Sequence, residues 1–280
     1  MRAEHARARS SWAALEAVRP LAAARAEAAA WNAANPRLRR GVAVQPVCFG
    51  ISFTATLLNQ AEALVHVYVD GTVVVTTGVV EMGQGVQGNI RRVVARTLGV
   101  PEGAVTLAST NTLRVANVSP TAASTGSDLN GAAAREACLS ILAALRPVAA
   151  ARLGCAPDQV EFADGAARVR ADALPTGAGD GVVPWADLVG LAYVQRVRLS
   201  ALAHYATPDL HFDRETNTGR PFAYHVYGAA LVEASVDVLL GTARIDRVTV
   251  VHDTGHPLDE LTDRGQIEGA IVQGLGWVTS

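Results

Sequence analysis

The sequence predicts an α+β fold, and three observations indicate it. The chain has 280 residues, 50% of them hydrophobic, which is enough for one large domain or two ordinary ones with a substantial core. A Val-rich run and a run of Val and Thr flank Asp70-Gly71, as the strands of a β-hairpin flank their turn. Helix-like and strand-like segments do not alternate strictly along the chain, which argues against a doubly wound sheet.

Composition and charge exclude several classes of protein. Charged residues make up 18% of the chain, too few for a wholly disordered protein of this hydrophobicity. The formal net charge is -2 and there is no basic run, so nucleic acid is not an expected partner. No apolar run reaches the roughly 18–20 residues of a membrane span, and no apolar segment of the signal-peptide kind follows the polar start.

The three cysteines are Cys48, Cys138 and Cys155, far apart and odd in number. There is no CxxC pair and no Cys/His spacing typical of zinc or iron–sulfur ligation. Reduced thiols in a cytoplasmic protein are therefore expected.

The N-terminal segment, residues 1–40, is predicted as a helical region distinct from residues 41–280. Residues 10–34 are dense in Ala, Glu and Arg, which favours helix by propensity alone. Pro20 interrupts this stretch, so we expect a kinked helix or two short ones, ended by Asn35-Pro36. Its composition also allows it to be a surface appendage rather than part of a core.

The next elements are read from hydrophobic periodicity and from Gly, Pro and Asp punctuation. The first three, in chain order, are a strand from Val42 to Cys48, a hairpin from Val65 to Thr77 with a two-residue turn, and a helix after Gly83–Gly88 that ends near Leu98. They are followed by a turn at Pro101-Glu102-Gly103, a short strand from Val105 to Ser109, a polar loop from Asn111 to Ser127, and a long helix from about Leu129 to Leu153.

The rest of the chain is predicted in the same way. In order it contains two short strands and a variable loop within residues 154–183, a short helix from Trp185 to Tyr193, strands over Val197–Ala206, Tyr224–Val238 and Arg244–His252 with a turn at Leu239-Leu240-Gly241, and a final helix from about Thr262 to Val278.

Three polar, glycine-bearing segments lie at predicted helix starts or within a helix. In the first, Glu81-Met82-Gly83-Gln84-Gly85, glycines on both sides of Gln84 let the backbone approach a ligand, and the following helix offers N–H groups. This favours an anion, or a heteroaromatic ring bound by the amide side chain. The alternative is a tight turn from strand to helix.

In the second segment, Ser119 to Asp128, several hydroxyl groups precede a long helix. Such a loop can bind phosphate oxygens with N–H and O–H donors at the positive end of the helix dipole. The alternative is an ordinary loop with Ser127 or Asp128 as helix N-cap.

The third segment places several glycines, Gly265 to Gly276, in a predicted helix. Each costs roughly 1 kcal/mol against alanine there, so close packing or ligand approach is indicated, and packing against a sheet explains them as well.

Two other groups of residues could have either a functional or a purely structural role. His252, Asp253 and His256 could ligate a metal, but a solvated loop at a strand end is favoured. Phe53 and Thr54 follow a strand and could belong to a core or to a pocket wall. The G-x-S-x-G, Walker and Rossmann glycine patterns do not occur in the sequence.

Several segments in order resemble the molybdenum-binding subunit of the xanthine dehydrogenase/aldehyde oxidase family of molybdenum hydroxylases. They cover roughly residues 30 to 280 and comprise Arg40–Thr54, Leu58-Asn59-Gln60, Val65–Gly71, Glu81–Gly85, Ser119–Gly131, Glu215–Gly219, Tyr224–Gly228 and Gly265–Trp277. The resemblance implies that residues 41–280 form a molybdopterin-binding region with mixed sheets and packed helices.

The family's functional residues transfer to matching positions. The resemblance implies that Gln84, with the backbone of Met82 and Gly83, contacts the pterin, and that Gln266 completes those contacts. It implies that the backbone N–H of Ala123 lies against the molybdenum centre, and that Ser124 and Ser127 hold the phosphate. Phe53 matches an aromatic residue that meets the substrate ring edge-on, and Thr54 matches a neighbouring hydroxyl.

The family reaction is the hydroxylation of a purine carbon, such as the conversion of hypoxanthine and xanthine to urate. Electrons leave through 2Fe-2S clusters and FAD to NAD. The resemblance therefore implies a purine substrate and a partner domain or subunit that carries FAD and iron–sulfur, in a hetero-oligomer.

Departures from the family pattern limit these expectations. The family's general-base glutamate lies in an A-x-G-E-P-P segment, and neither this nor the F-R-G-F-G segment occurs here. The chain is thus expected to correspond to an internal piece that contributes no catalytic residue and is inactive alone. Two alternatives stay open, a non-catalytic remnant that binds cofactor or partners, and a hydroxylase of aldehydes or N-heterocycles.

Overall fold

The computed structural model describes residues 3–115, 117–173 and 181–279, with side chains from Arg7 onward. In these residues the helices are α1 (Ala3–Val18), α2 (Leu21–Ala34), α3 (Val86–Leu98), α4 (Gly126–Leu153), α5 (Trp185–Val194) and α6 (Glu260–Thr279). The strands are β1 (Leu38–Ile51), β2 (Gln60–Val67), β3 (Val73–Thr77), β4 (Val105–Leu107), β5 (Val160–Ala163), β6 (Ala166–Val169), β7 (Val182–Pro184), β8 (Ser200–Ala206), β9 (His211–Asp213), β10 (Thr218–Arg220), β11 (Tyr224–Asp237) and β12 (Thr242–His252). The α+β prediction is confirmed.

The chain forms two compact units. One, here called the split unit, combines residues 1–51 with residues 222–280, and the other, the inserted unit, comprises residues 52–221. The prediction that residues 1–40 and 41–280 are distinct regions concerns function and not compactness. It stays a prediction.

In the split unit, an antiparallel sheet of order β1-β11-β12 carries the two N-terminal helices. Of the two forms expected for this segment, a kinked helix or two short helices, the structure has two helices, with the break at Pro20. They are packed rather than appended, because Leu15 is only 2% exposed and clusters with Ala229 and Leu231 of the sheet. Arg19 adds an ion pair to Glu233 of β11 at 2.8 Å.

In the inserted unit, a four-stranded sheet of order β4-β3-β2-β8 is covered by α3 and α4, while α5 packs against α4 and against β6 and β7. It is a mixed sheet, since β3 and β4 run parallel while the other pairs are antiparallel. A second, antiparallel sheet has the order β5-β6-β7. The predicted loop within 154–183 lies partly outside the described residues.

The predicted β2–β3 hairpin is confirmed, but its turn differs from the prediction. Tyr68 donates to the carbonyl of Thr72 at 2.8 Å, which leaves a three-residue loop between them. Gly71 takes a φ of +87°, and the Asp70 carboxylate accepts from the Thr72 N–H at 2.9 Å. A left-handed glycine after a tight turn is the usual geometry of a three-residue hairpin loop.

The hairpin of β9 and β10 was not predicted. Its strands have three residues each, and their exposed side chains show little apolar alternation. The Asp213 carboxylate accepts from the Glu215 N–H at 2.8 Å and from the Thr216 hydroxyl at 2.8 Å, so local polar bonds hold the turn. Among the described residues, no helix is long and apolar enough to cross a membrane.

Candidate functional site

The loop between β3 and α3 presents Gln84 in a fixed orientation. Gln84 Oε1 accepts from the Met82 N–H at 2.6 Å, and Nε2 donates to the Val80 carbonyl at 2.8 Å. A carboxamide has two N–H donors and two acceptor lone pairs, so these bonds use half of its capacity. The loop therefore holds the amide in place and leaves one donor and one acceptor for a ligand.

Glu81 accepts hydrogen bonds from three N–H groups, two in the loop before α3 and one in its first turn. Its carboxylate accepts from the N–H groups of Gly83 at 2.9 Å, Gly85 at 3.0 Å and Gln87 at 3.0 Å. Burial acts to raise the pKa of Glu81, but the N–H groups of Gln87, Gly85 and Gly83 outweigh it, and the pKa lies below its usual value. Glu81 thus already takes part of the anion-binding capacity that the sequence predicts at this helix start, including the Gln87 N–H of the first turn. A carboxylate just before a glycine-flanked helix start is the signal that could have identified it.

The loop before α4 contains two strained residues. Ala123 and Ser124 take φ values of +54° and +56°, and the Thr125 N–H reaches the Ala122 carbonyl at 3.3 Å. Two consecutive left-handed residues inside a four-residue turn define the mirror-image type I′ class. Each such non-glycine residue costs of order 1–3 kcal/mol, and such strain clusters at functional sites.

The N-cap residue of α4 does not cap the helix with its side chain. Thr125 is the N-cap residue, but it makes no capping bond, and its hydroxyl donates to the Ala122 carbonyl at 3.0 Å instead. Ser127 and Asp128, the caps considered from the sequence, lie inside the first helical turn. Within the described ranges no hydrogen bond engages the N–H groups of Ala123 and Ser124. The start of this 28-residue helix therefore offers N–H and O–H donors to an anion.

The structure brings these two loops together. The Val80 N–H donates to Thr121 Oγ1 at 2.9 Å, and Asn89 Nδ2 of α3 donates to Ser127 Oγ at 3.1 Å. Gln84 and Ser127 thus belong to one assembly of loops at the starts of α3 and α4, inside the inserted unit.

Two buried amide oxygens lie beside this assembly. In the described part of the chain, Asn89 Oδ1 and Asn130 Oδ1 are buried side-chain atoms with no hydrogen-bond partner. Their amide nitrogens bond the Ser127 hydroxyl and the Gly126 carbonyl, both at the start of α4. Buried polar groups are normally paired, so two orphan acceptors at one helix start indicate a place where a further group binds.

Phe53, the predicted substrate contact, is held by a separate loop. Its N–H donates to Asn59 Oδ1 at 2.8 Å, and its carbonyl accepts from Asn59 Nδ2 at 2.9 Å. Asn59 is 3% exposed, and the preceding Ser52 takes a φ of +151°, which side-chain-bearing residues rarely adopt. Phe53 is half-buried and Thr54 is exposed, which favours the pocket-wall interpretation over a core position.

Replacing Asn59 with alanine tests how firmly this loop is held. The change leaves the Phe53 N–H and carbonyl without their partner in a buried setting, so we expect a loss of about 1–3 kcal/mol in unfolding free energy. Urea unfolding followed by tryptophan fluorescence measures it. The control is Asn111→Ala, which removes an exposed asparagine from another loop, and an equal loss in both variants would contradict the special role of Asn59.

Gln266 lies in the other unit, on α6. No residue of α6 is buried among those described, and Gln266 is exposed. A Cβ added at Gly265, Gly269, Gly274 or Gly276 would meet no atom within 4 Å. The interpretation that these glycines permit close packing against a sheet of this chain is therefore wrong.

Asp253, which lies between His252 and His256 in the sequence, has a structural role. Asp253 pairs with Arg7 at 2.7 Å and accepts from the Gly255 N–H at 2.9 Å. These donors lower the pKa of Asp253, the Gly255 N–H foremost. The described residues contain no group of three or more His, Cys, Asp or Glu side chains placed to hold a metal ion.

Comparison with known proteins gives a consistent family match. A family profile described as molybdopterin cofactor-binding domain matches residues 14–280. Xanthine dehydrogenase 1 of Arabidopsis thaliana is 42% identical over 255 residues, which are 91% of this chain and 17% of that protein. Xanthine dehydrogenase/oxidase of Felis catus is 41% identical over 253 residues, 90% of this chain and 17% of that protein. The chain thus spans about one sixth of the length of these relatives.

Solved structures share the fold. Quinoline 2-oxidoreductase from Pseudomonas putida 86 superposes with a TM-score of 0.77 at 22% identity, covering 95% of this chain and 33% of that one. A Cu,Mo-CO dehydrogenase superposes with a TM-score of 0.76 at 20% identity, covering 92% of this chain and 32% of that one. At this identity the similarity concerns the fold alone.

Proposed function

The chain belongs to the molybdopterin cofactor-binding domain family, and from that premise we propose that it is the cofactor-binding portion of a xanthine dehydrogenase-like molybdenum hydroxylase. The observation that carries the proposal is the start of α4. A strained Ala123-Ser124 turn, two serine hydroxyls and an N-cap residue that makes no capping bond lie together there. This is a donor set suited to a phosphate.

The residues present fit the remainder of the cofactor as well. Gln84 keeps one donor and one acceptor, which suits the edge of a pterin ring. Asn89 and Asn130 each keep an unpaired buried oxygen beside the same loops. We assign Ser124 and Ser127 to the phosphate, Gln84 with the backbone of Met82 and Gly83 to the pterin, and Gln266 to a further pterin contact.

When bound, a molybdenum cofactor supplies oxygen-atom transfer to a substrate carbon and accepts two electrons. The chain's own residues bind and orient. The Ala123 N–H is assigned to the metal end of the cofactor, since the left-handed turn leaves it without an acceptor in the described residues. Phe53 would meet a flat purine edge-on, and Thr54 would bond a ring substituent.

Other parts of a complete enzyme belong to the proposal. We assign no general base to this chain, since the A-x-G-E-P-P segment is not among its residues, and turnover by the chain alone is not expected. Electrons would pass through 2Fe-2S and FAD groups of a partner domain or subunit to NAD. Cys48, Cys138 and Cys155 are free thiols, which supports the cytoplasmic location that we propose.

Cofactor loading tests the proposal directly. We expect the chain, produced in cells that make the cofactor, to carry about one molybdenum and one pterin, measured by plasma mass spectrometry and by fluorescence of the oxidised pterin. Molybdenum and pterin no higher than in an unrelated protein from the same cells would refute it. Urate formation from xanthine is expected only after addition of the remaining subunits. Urate formed by the chain alone would overturn the assignment of the general base to another part of the enzyme.

A further inference from the structure

We propose that Glu81 is a positioning residue that fixes the shape of the pterin-binding loop from its protein side. The inference rests on the proposed function of that loop. It concerns how the loop is held, whereas the assigned contacts concern Met82, Gly83 and Gln84.

The carboxylate bridges the whole loop. One oxygen, Oε1, accepts from the N–H groups of both Gly83 and Gly85, and the other, Oε2, accepts from the Gln87 N–H in the first turn of α3. The three donors are spread over five consecutive residues. A single side chain therefore ties the exposed loop to the start of a helix whose Ile90 and Val94 are fully buried.

Side-chain packing does little to fix this loop. Met82 is 68% exposed, and a Cβ added at Gly83 would meet no atom within 4 Å. Gly83 and Gly85 take φ values of +98° and +77°, so their backbone is held in conformations that glycine leaves readily. The orientation of Gln84 depends on this backbone, because its amide bonds the Met82 N–H and the Val80 carbonyl.

The charge of the Glu81 carboxylate is as important as the length of its side chain. Hydrogen bonds from N–H groups to an ionised acceptor are about twice as strong as those between neutral groups, and the helix dipole adds to them at α3. Glutamine at this position would keep one acceptor oxygen and introduce an NH₂ group that faces N–H donors. Aspartate would keep the charge but could not span from Gly83 to Gln87.

Two variants, Glu81→Gln and Glu81→Asp, test the inference in the full chain. In the cofactor-free protein we expect the hydrogen exchange of the Gly83, Gly85 and Gln87 amides to quicken about tenfold or more in Glu81→Gln. We expect the affinity for isolated molybdenum cofactor to fall about 10–100-fold, with Glu81→Asp between this variant and wild type. Asp158→Asn is the matched control, because Asp158 is an exposed carboxylate at the start of a short helical turn.

The outcomes separate the inference from the proposed function. Unchanged amide exchange in Glu81→Gln, or faster exchange with wild-type affinity, would overturn the positioning role. A wild-type chain that binds no cofactor would overturn the proposed function, and with it the role of Glu81 in binding. If Glu81→Gln does not fold, Glu81→Asp decides by the same two measurements.

Discussion

Replacing Gly99 with alanine is expected to lower the unfolding free energy by about 3–5 kcal/mol, from a left-handed backbone penalty and a steric clash together. Gly99 ends α3 with a φ of +70°. A Cβ there would lie 2.4 Å from the Phe162 carbonyl oxygen and 2.5 Å from its carbon. These are backbone atoms of β5, and the Gly165 N–H holds the Gly99 carbonyl at 2.6 Å, so neither side can move away cheaply.

The chain offers a matched control for this substitution. Gly154 ends α4 with φ and ψ of 69° and 30°, against 70° and 29° at Gly99, but its Cβ would meet no atom within 4 Å. Gly154→Ala should therefore lose only the left-handed penalty, about 1–2 kcal/mol. Urea unfolding measures the loss of unfolding free energy in both variants, and the difference between the two losses is the cost of the clash. Equal losses would contradict the close approach of α3 and β5.

The second large effect is expected on cofactor binding, from Ser124→Ala. Ser124 is exposed and makes no hydrogen bond within the described residues, so its hydroxyl is available to the phosphate. A hydrogen bond to a charged group contributes about 1.5–3 kcal/mol, which corresponds to a 10–100-fold loss of cofactor affinity. Titration of the cofactor-free chain measures this loss, and the melting temperature of that chain should stay unchanged.

Ser127→Ala should behave differently although it removes the same group. The Ser127 hydroxyl accepts from Asn89 Nδ2, and Asn89 Oδ1 already has no partner in the described chain. Its loss leaves the whole buried amide unpaired, so we expect about 1–3 kcal/mol of destabilisation besides weaker binding. Ser109→Ala, at an exposed serine near the β4 end of the same β4–α4 connection, is the control for both variants. Unchanged cofactor affinity in both Ser124→Ala and Ser127→Ala would refute the phosphate assignment.

Local elements of the fold were predictable because their signals are local. The helix from Val86 to Leu98 and the helix from Trp185 to Val194 begin and end close to the predicted residues, since glycine and proline mark their boundaries. The pairing of β1 with β11 was not predictable, because each strand pattern says only that a partner exists. The division of the chain into two units follows from that long-range pairing.

The candidate site was also predictable only in part. Glycines around Gln84 and hydroxyls before α4 are visible in the sequence, and both loops lie together in the structure. The left-handed turn at Ala123-Ser124 was not predictable from these residue types, because alanine and serine normally avoid that conformation. The use of Glu81 as an internal anion depends on loop geometry that composition does not encode.

The pairing of β1 with β11 also has a consequence for the order in which the chain is made. Ile51 pairs with Tyr224, roughly 170 residues later. At about 5–20 residues per second a ribosome needs roughly 10–30 s to deliver the partner strand. For that time the nascent chain carries β1, with Val47 and Phe49, unpaired outside the exit tunnel. The 52–221 segment has emerged in full before β1 can pair with β11, so folding in the cell is expected to begin in the middle of the sequence and to pair its first strand late.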